Sequence, residues 1–249
     1  MMTSYADRGA AGLLAAALLA VAAARADEPA IRSMVSARIP DATIVSVREL
    51  GRAGLFEVTL QRPQGYAVVY ADEAARTLFV GSVIDARTER NLTEERVRTL
   101  TRIEWGSLPF DRAITMKRGD GRRKIAIFSD PNCPFCRRLE DELAKVNDIT
   151  VHIFMYPVIK PDSVRLTKAV WCSRDRVKAW NDLMLKGVEP VSKPDCPNPV
   201  DELVALGHRL GATGTPTWFL ESGEKYSGAM KVSDLVPLLD AALAKRRLP

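Results

Sequence analysis

Histidine is almost missing from this chain. Its 249 residues contain two, His152 and His208, too far apart for the short spacing of a histidine zinc motif. A strong charge excess is also lacking: 36 Lys and Arg stand against 31 Asp and Glu. The two signs are interspersed, as in Arg87-Thr88-Glu89-Arg90. Such a balance gives no basis for a nucleic-acid partner, and the one tight basic cluster, Lys245-Arg246-Arg247, fits a solvated helix end. No apolar run is long enough to span a bilayer. The longest, residues 9–24, falls short of the usual span of about 20 residues. With Arg8 before it and Ala24-Arg25-Ala26 after it, this run reads as an export signal over residues 1–26, cleaved after Ala26.

What remains has ordinary globular composition, 47% hydrophobic and 27% charged, and enough length for two modest domains with real cores. Without residues 1–26, which hold Asp7, Arg8 and Arg25, the formal charge is +4. In an exported protein thiols tend to be oxidised, so the four cysteines carry more information than charge does. Cys133-Pro134-Phe135-Cys136 is a C-x-x-C that closes on itself only as a tight redox pair, which leaves Cys172 to pair with Cys196 as a structural disulfide. Zinc would want a second close pair, and Cys172 and Cys196 lie far apart in sequence. Covalent haem needs His at the position that Arg137 occupies. Neither a metal nor another cofactor is expected.

Ile31, Met34, Val35 and Ile39 recur at helical spacing before Pro40 and predict a short amphipathic helix. Strand-like runs follow at 43–48, 55–61, 66–70 and 77–80, punctuated by turn signals, with 83–86 as a further strand. A helix followed by an antiparallel meander makes a small α+β unit over 27–90, which would bury little surface alone. Asn91 reads as the N-cap of a helix extending to Trp105 within a linker at 91–108. At 1.5 Å per residue such a helix would hold two units about 20 Å apart. The second domain is expected over 109–249, and from Lys124 the pattern changes. Residues 124–129 form a buried-type strand, the C-x-x-C opens a helix with Cys136, Leu139, Leu143 and Val146 on one face, and 150–156 form a second strand. Helical segments broken by Pro190, Pro194, Pro197 and Pro199 come next. The chain closes with a strand at 217–221, a turn at Gly223, a short strand at 225–227, and a helix capped at Ser233 with Pro237 in its first turn.

A cysteine at a helix N-terminus meets unpaired backbone N–H groups and the positive end of the helix dipole, both of which favour the thiolate. Cys133 is therefore expected as the nucleophile. Cys136, one turn on, is placed to attack a mixed disulfide formed at Cys133 and acts as the resolving cysteine. Pro134 is compatible with the first turn, and Phe135 would present apolar surface near the reactive sulfur. Asp130 is readable either as an electrostatic neighbour of Cys133 or as the turn-former before Pro131. The two histidines read as structural.

The segment Phe128-Ser129-Asp130-Pro131-Asn132 leading into the C-x-x-C, the late Thr213-Gly214-Thr215-Pro216-Thr217, Asn91-Leu92-Thr93 and Leu108-Pro109-Phe110 together resemble the bacterial periplasmic disulfide isomerase family of DsbC and its relative DsbG. The resemblance covers nearly all of 27–249. It implies an N-terminal cystatin-like dimerisation domain, a linker helix, and a C-terminal thioredoxin fold with a helical insertion. By the same resemblance Thr215 and Pro216, joined by a cis bond, lie against Cys133 and bind an extended substrate together with Pro134 and Phe135. The implied function is rearrangement of wrong disulfides in unfolded or misoxidised exported proteins, in a periplasmic homodimer recharged by a membrane electron donor of the DsbD type. A second, structural disulfide is a feature of the isomerase, whereas Pro134 is usual in DsbG and replaces the usual Gly of the isomerase. A DsbG-like reductase of sulfenic acids, a DsbA-like oxidase, and a holdase chaperone of unfolded chains remain as alternatives. Turnover on a sulfenylated protein, the reduction potential, and aggregation suppression without the two cysteines separate them.

Overall fold

A computed structural model describes residues 28–63 and 65–246, so the signal expected at 1–26 lies outside the described residues. The first helix, α1 (Glu28–Arg38), buries Ile31 and Val35 completely, one turn apart on a single face. Each such burial stabilises the unit by about 1.5–3 kcal/mol. That face packs on an antiparallel meander of β1 (Thr43–Glu49), β2 (Leu55–Arg62), β3 (Gly65–Asp72) and β4 (Leu78–Phe79), in that spatial order. Alternation decides what meets α1: Val58 and Leu60 of β2 join Val69 and Ala71 of β3 in its core. Gly51 and Gly54, at φ of 69° and 62°, supply the left-handed backbone of the β1–β2 turn. Residues 83–86 do not extend the meander. They contribute β5 (Ile84–Asp85), which pairs with β6 (Arg90–Asn91) in a separate hairpin.

The expected spacer is shorter and more engaged than its sequence pattern predicts. Helix α2 (Leu92–Leu100) does start at an Asn91 N-cap, whose Oδ1 accepts from the Glu94 N–H at 3.0 Å. It ends five residues before Trp105, because Ile103 N–H bonds the Gly223 carbonyl at 3.0 Å instead of continuing the helix. Nine residues span only about 14 Å. The helix also lies on the second face of the meander. Thr93 Oγ1 is 2.5 Å from the Tyr70 hydroxyl, and the buried Glu57 carboxylate accepts from both Arg96 and Arg48 at 2.9 Å. Toward the second unit, Arg98 sits 5.4 Å over the Tyr226 ring and Arg102 donates to the Ser222 carbonyl. The segment links the two units and contacts both.

The second unit is built on a five-stranded sheet in the order β11-β10-β8-β9-β7. Its first strand, β7 (Ile114–Arg118), is absent from the sequence expectation and pairs antiparallel at the edge with β9 (Ile149–Met155). The strand β8 (Arg123–Ser129), the helix α3 (Pro134–Leu143) and β9 form the expected parallel crossover. Three helices follow: α4 (Pro161–Trp171), α5 (Arg176–Lys186) and α6 (Val200–Arg209). Then β10 (Thr217–Leu220) runs antiparallel to β8, and β11 (Lys225–Ser227) closes the edge. Phe128 stacks on Phe154 at 5.2 Å in the centre of the core. The last helix, α7 (Val232–Arg246), begins one residue before Ser233. Its Val232 N–H is capped by the Glu142 carboxylate of α3 at 2.8 Å, so Ser233 is not the cap and Pro237 falls beyond the first turn.

Candidate active site

The site starts where β8 leaves the sheet. Asp130 is fully buried, and both its carboxylate oxygens are used. One accepts from Asn132 N–H at 2.7 Å and Ser163 Oγ at 2.8 Å; the other accepts from the N–H groups of Val158 and Ile159 at 2.7 and 2.8 Å. A buried carboxylate with four donors is fully satisfied, which resolves the choice left by sequence: Asp130 is the knot of the loop. It ties the turn before the cysteines to the segment after β9. Arg137 adds a second clamp, its guanidinium donating to the Pro131 carbonyl at 3.0 and 3.3 Å.

That loop delivers Cys133 to the N-cap position of α3, with Pro134 as the first helical residue. Both Cys133 and Cys136 are free thiols, 3% and 1% exposed. The Cys133 thiol donates to the Thr215 carbonyl at 3.2 Å, and Asp130 N–H donates to the Cys136 sulfur at 3.5 Å. The Thr215–Pro216 peptide bond is cis, and Pro216 and Thr217 are buried at the start of β10. Burial pushes the Cys136 thiol up to about 12, against partial relief from Ser129, the Asp130 N–H and Thr215. Cys136 is thus held as a thiol until something withdraws its proton.

The residues expected to meet substrate divide into two kinds. Pro134 and Phe135 are exposed, Phe135 by 53%, while Thr215 and Pro216 present mainly backbone beside the sulfur. Sequence reasoning missed Val158 and Ile159, nearly half-exposed and pinned by the Asp130 carboxylate on the same rim as the cysteine loop. It also missed Glu140, buried on α3 one turn beyond Cys136. Trp180 Nε1 of α5 donates to its Oε1 at 3.0 Å, and burial raises its carboxyl to about 7. Position 140 falls on the apolar stripe with Cys136, Leu139 and Leu143, which is the signal that could have revealed it.

A disulfide joins Cys172, at the C-terminal end of α4, to Cys196 in the Pro-rich coil. Both histidines sit in packing roles: His152 against Phe110 at 4.5 Å and Thr115 Oγ1 at 2.9 Å, His208 against the Tyr156 ring and hydroxyl. Among the described residues no group of three or more His, Cys, Asp or Glu side chains is arranged to hold a metal ion. No helix among them is long and apolar enough to cross a membrane.

Comparison with known proteins is concordant across the chain. Residues 22–94 match the disulfide bond isomerase protein N-terminal domain, and residues 110–243 match the thioredoxin-like domain. The probable thiol:disulfide interchange protein DsbC of Bordetella pertussis is 37% identical over 215 residues, covering 85% of this chain and 75% of its own. The DsbC of Escherichia coli is 32% identical over 132 residues, 51% of this chain and 55% of its own. Among solved structures, the disulfide interchange protein of Neisseria gonorrhoeae is 43% identical with a TM-score of 0.53, covering 55% of this chain and 99% of its own.

Proposed function

From the chain's membership of the DsbC family of thiol:disulfide interchange enzymes, we propose that Cys133 is the attacking cysteine and Cys136 the resolving one of a protein disulfide isomerase. The observation that carries this is the pair of free thiols at the start of α3, with the Cys133 sulfur on the Thr215 carbonyl. The Cys133 thiolate attacks one sulfur of a wrong disulfide, forms a mixed disulfide and expels the other sulfur as a thiolate. A substrate thiolate then displaces Cys133 to leave a new pairing. Alternatively the Cys136 sulfur displaces the substrate, giving a Cys133–Cys136 disulfide and a reduced substrate. The second route consumes two electrons, which a membrane donor of the DsbD type would return.

Pro134 and Phe135 supply apolar contact for an unfolded chain, and Thr215 with Pro216 supplies backbone for its extended strand. The proposed domains are 27–90 for dimerisation and 109–249 for catalysis, with 91–108 between them. The edge strand β4, the turn after it and the start of β5 expose Phe79, Val80 and Ile84, by 45%, 77% and 58%, and this apolar surface supports a homodimer through the first unit. The periplasm is the compartment in which these steps would be useful. The Cys172–Cys196 disulfide favours the isomerase over the DsbG-like reading that Pro134 left open.

Reactivation of scrambled ribonuclease by the reduced protein, run beside Cys133→Ala, tests the reading. Recovery that depends on Cys133 is expected. A Cys133→Ala protein that reactivates as well as the parent would refute it.

A further inference from the structure

Two buried hydroxyls at the cysteine pair have no hydrogen-bond partner: Ser129 Oγ and Thr215 Oγ1. Ser129 is 1% exposed, so bulk solvent does not reach it. A polar group left unpaired inside a core is unfavourable and calls for a reason. Both residues are built in by backbone that cannot easily relax. Ser129 is the last residue of β8, its carbonyl accepts from Tyr156 N–H at 2.8 Å, and its register partner is Met155. The next residue, Asp130, already points its N–H at the Cys136 sulfur, and Thr215 holds the Cys133 sulfur through its carbonyl.

We propose that the Ser129 hydroxyl, assisted by that of Thr215, is a latent donor for the Cys136 sulfur, engaged only when that sulfur carries negative charge. The proposal rests on the reading of Cys133 and Cys136 as the redox pair. In the thiol state Cys136 offers a hydroxyl only a weak acceptor, and the hydroxyls stay idle. As a thiolate it becomes a strong one, and three donors converge on it: Ser129 Oγ, Thr215 Oγ1 and Asp130 N–H. All three relieve the effect of burial on this thiol.

Charge builds on Cys136 in two steps. When Cys136 resolves a mixed disulfide, its sulfur attacks the Cys133 sulfur, the bond from Cys133 to substrate breaks, and the Cys136 proton ends on the released substrate thiolate. When a dithiol reductant attacks Cys133 of the oxidised pair, Cys136 departs as a thiolate and later takes up the reductant's proton. A leaving thiolate that is better stabilised leaves faster. Ser129 gives up no proton in either step.

The test compares Ser129→Thr with Ser129→Val, two side chains of one shape that differ in the hydroxyl. The oxidised proteins are reduced by dithiothreitol and the rate is followed by stopped flow, with alkylation of Cys133 by iodoacetamide in the reduced proteins as a control. Ser129→Thr should keep the parental reduction rate and Ser129→Val should fall about three- to tenfold, with Cys133 alkylation equal in both. Equal reduction rates for the two variants would overturn the proposal, whereas a purely packing role would leave the rates tied to shape. Failure of the parent to form a Cys133–Cys136 disulfide, checked by peptide mass mapping, would instead overturn the redox-pair reading beneath it.

Discussion

The two cysteine pairs of the second unit are made of the same side chain and stand in opposite states, one free and one joined. Cys133 and Cys136 stand three positions apart at the mouth of a helix, free and buried, held by a loop in which both carboxylate oxygens of Asp130 are satisfied. Cys172 and Cys196 are 24 positions apart, joined, and bridge the end of α4 to an irregular coil. What separates the free pair from the joined one here is the frame. The first pair owes its position to a backbone N–H, a buried carboxylate that ties down the loop, and the Thr215 carbonyl just before β10. The second pair closes a loop that holds α5, whose Trp180, Leu183 and Met184 are buried in the core, and fastens the irregular coil after that helix. Between the two, the Glu140–Trp180 hydrogen bond ties the helix of the first pair to the helix that follows Cys172.

This contrast can be broken deliberately. The largest effect is expected from Cys133→Ser, which should abolish turnover on disulfide substrates while leaving the melting temperature nearly unchanged; activity assays and calorimetry on one preparation check both halves. Asp130→Ala comes next. It strands the donors of Asn132, Ser163, Val158 and Ile159 and should cost about 3–5 kcal/mol in urea unfolding, with Cys133 alkylation altered as the loop loosens. Replacing Cys172 and Cys196 together by Ser should cost about 3 kcal/mol in the loop-closure model yet leave Cys133 alkylation at the parental rate. Loss of Cys133 reactivity in that double variant would mean that the two pairs are not independent.

The smallest expected effect is a pH signature of the buried groups that flank the catalytic helix and sheet. The Glu140 carboxyl is raised from 4.5 to about 7, chiefly by burial. The unfolded chain therefore loses its proton first, and this group's stabilisation declines as pH rises from 4.5 to about 7. His152 runs the other way, lowered from 6.5 to about 4 by burial and nearby Lys124, so its stabilisation declines as pH falls from 6.5 to about 4. Each is worth at most about 3 kcal/mol, and in the overlap they oppose one another. Glu140→Gln should unmask the histidine, giving stability that rises with pH through that window. Urea midpoints measured at a series of pH values decide it; a falling profile would mean that burial of His152 does not govern its charge.

Much of this was readable from local pattern. The meander, the crossover around the C-x-x-C and the N-cap at Asn91 follow from alternation, helical spacing and capping chemistry within a few residues. Several of the differences trace to partners far away in sequence. Helix α2 stops early because Ile103 bonds Gly223, 120 positions on. The cap of α7 is Glu142, 90 positions before it. Asp130 does form the turn before the cysteines, through Asn132 N–H, but its other three donors come from 158, 159 and 163 and were not legible locally. The strand β7 did carry a signal, with Ile114 and Met116 buried and Thr115 and Lys117 exposed, but five alternating residues are weak beside the apolar run of β8.

The most direct test of the division between the two C-x-x-C sulfurs is a trapping measurement. Cys136→Ala protein is incubated with a disulfide-bonded peptide and the adduct is located by peptide mass mapping, with Cys133→Ala in parallel. A stable mixed disulfide at Cys133 in the first variant and none in the second is the expected result. An adduct on Cys136 in the Cys133→Ala protein, formed as readily as the first, would reverse the assignment of attacking and resolving cysteine.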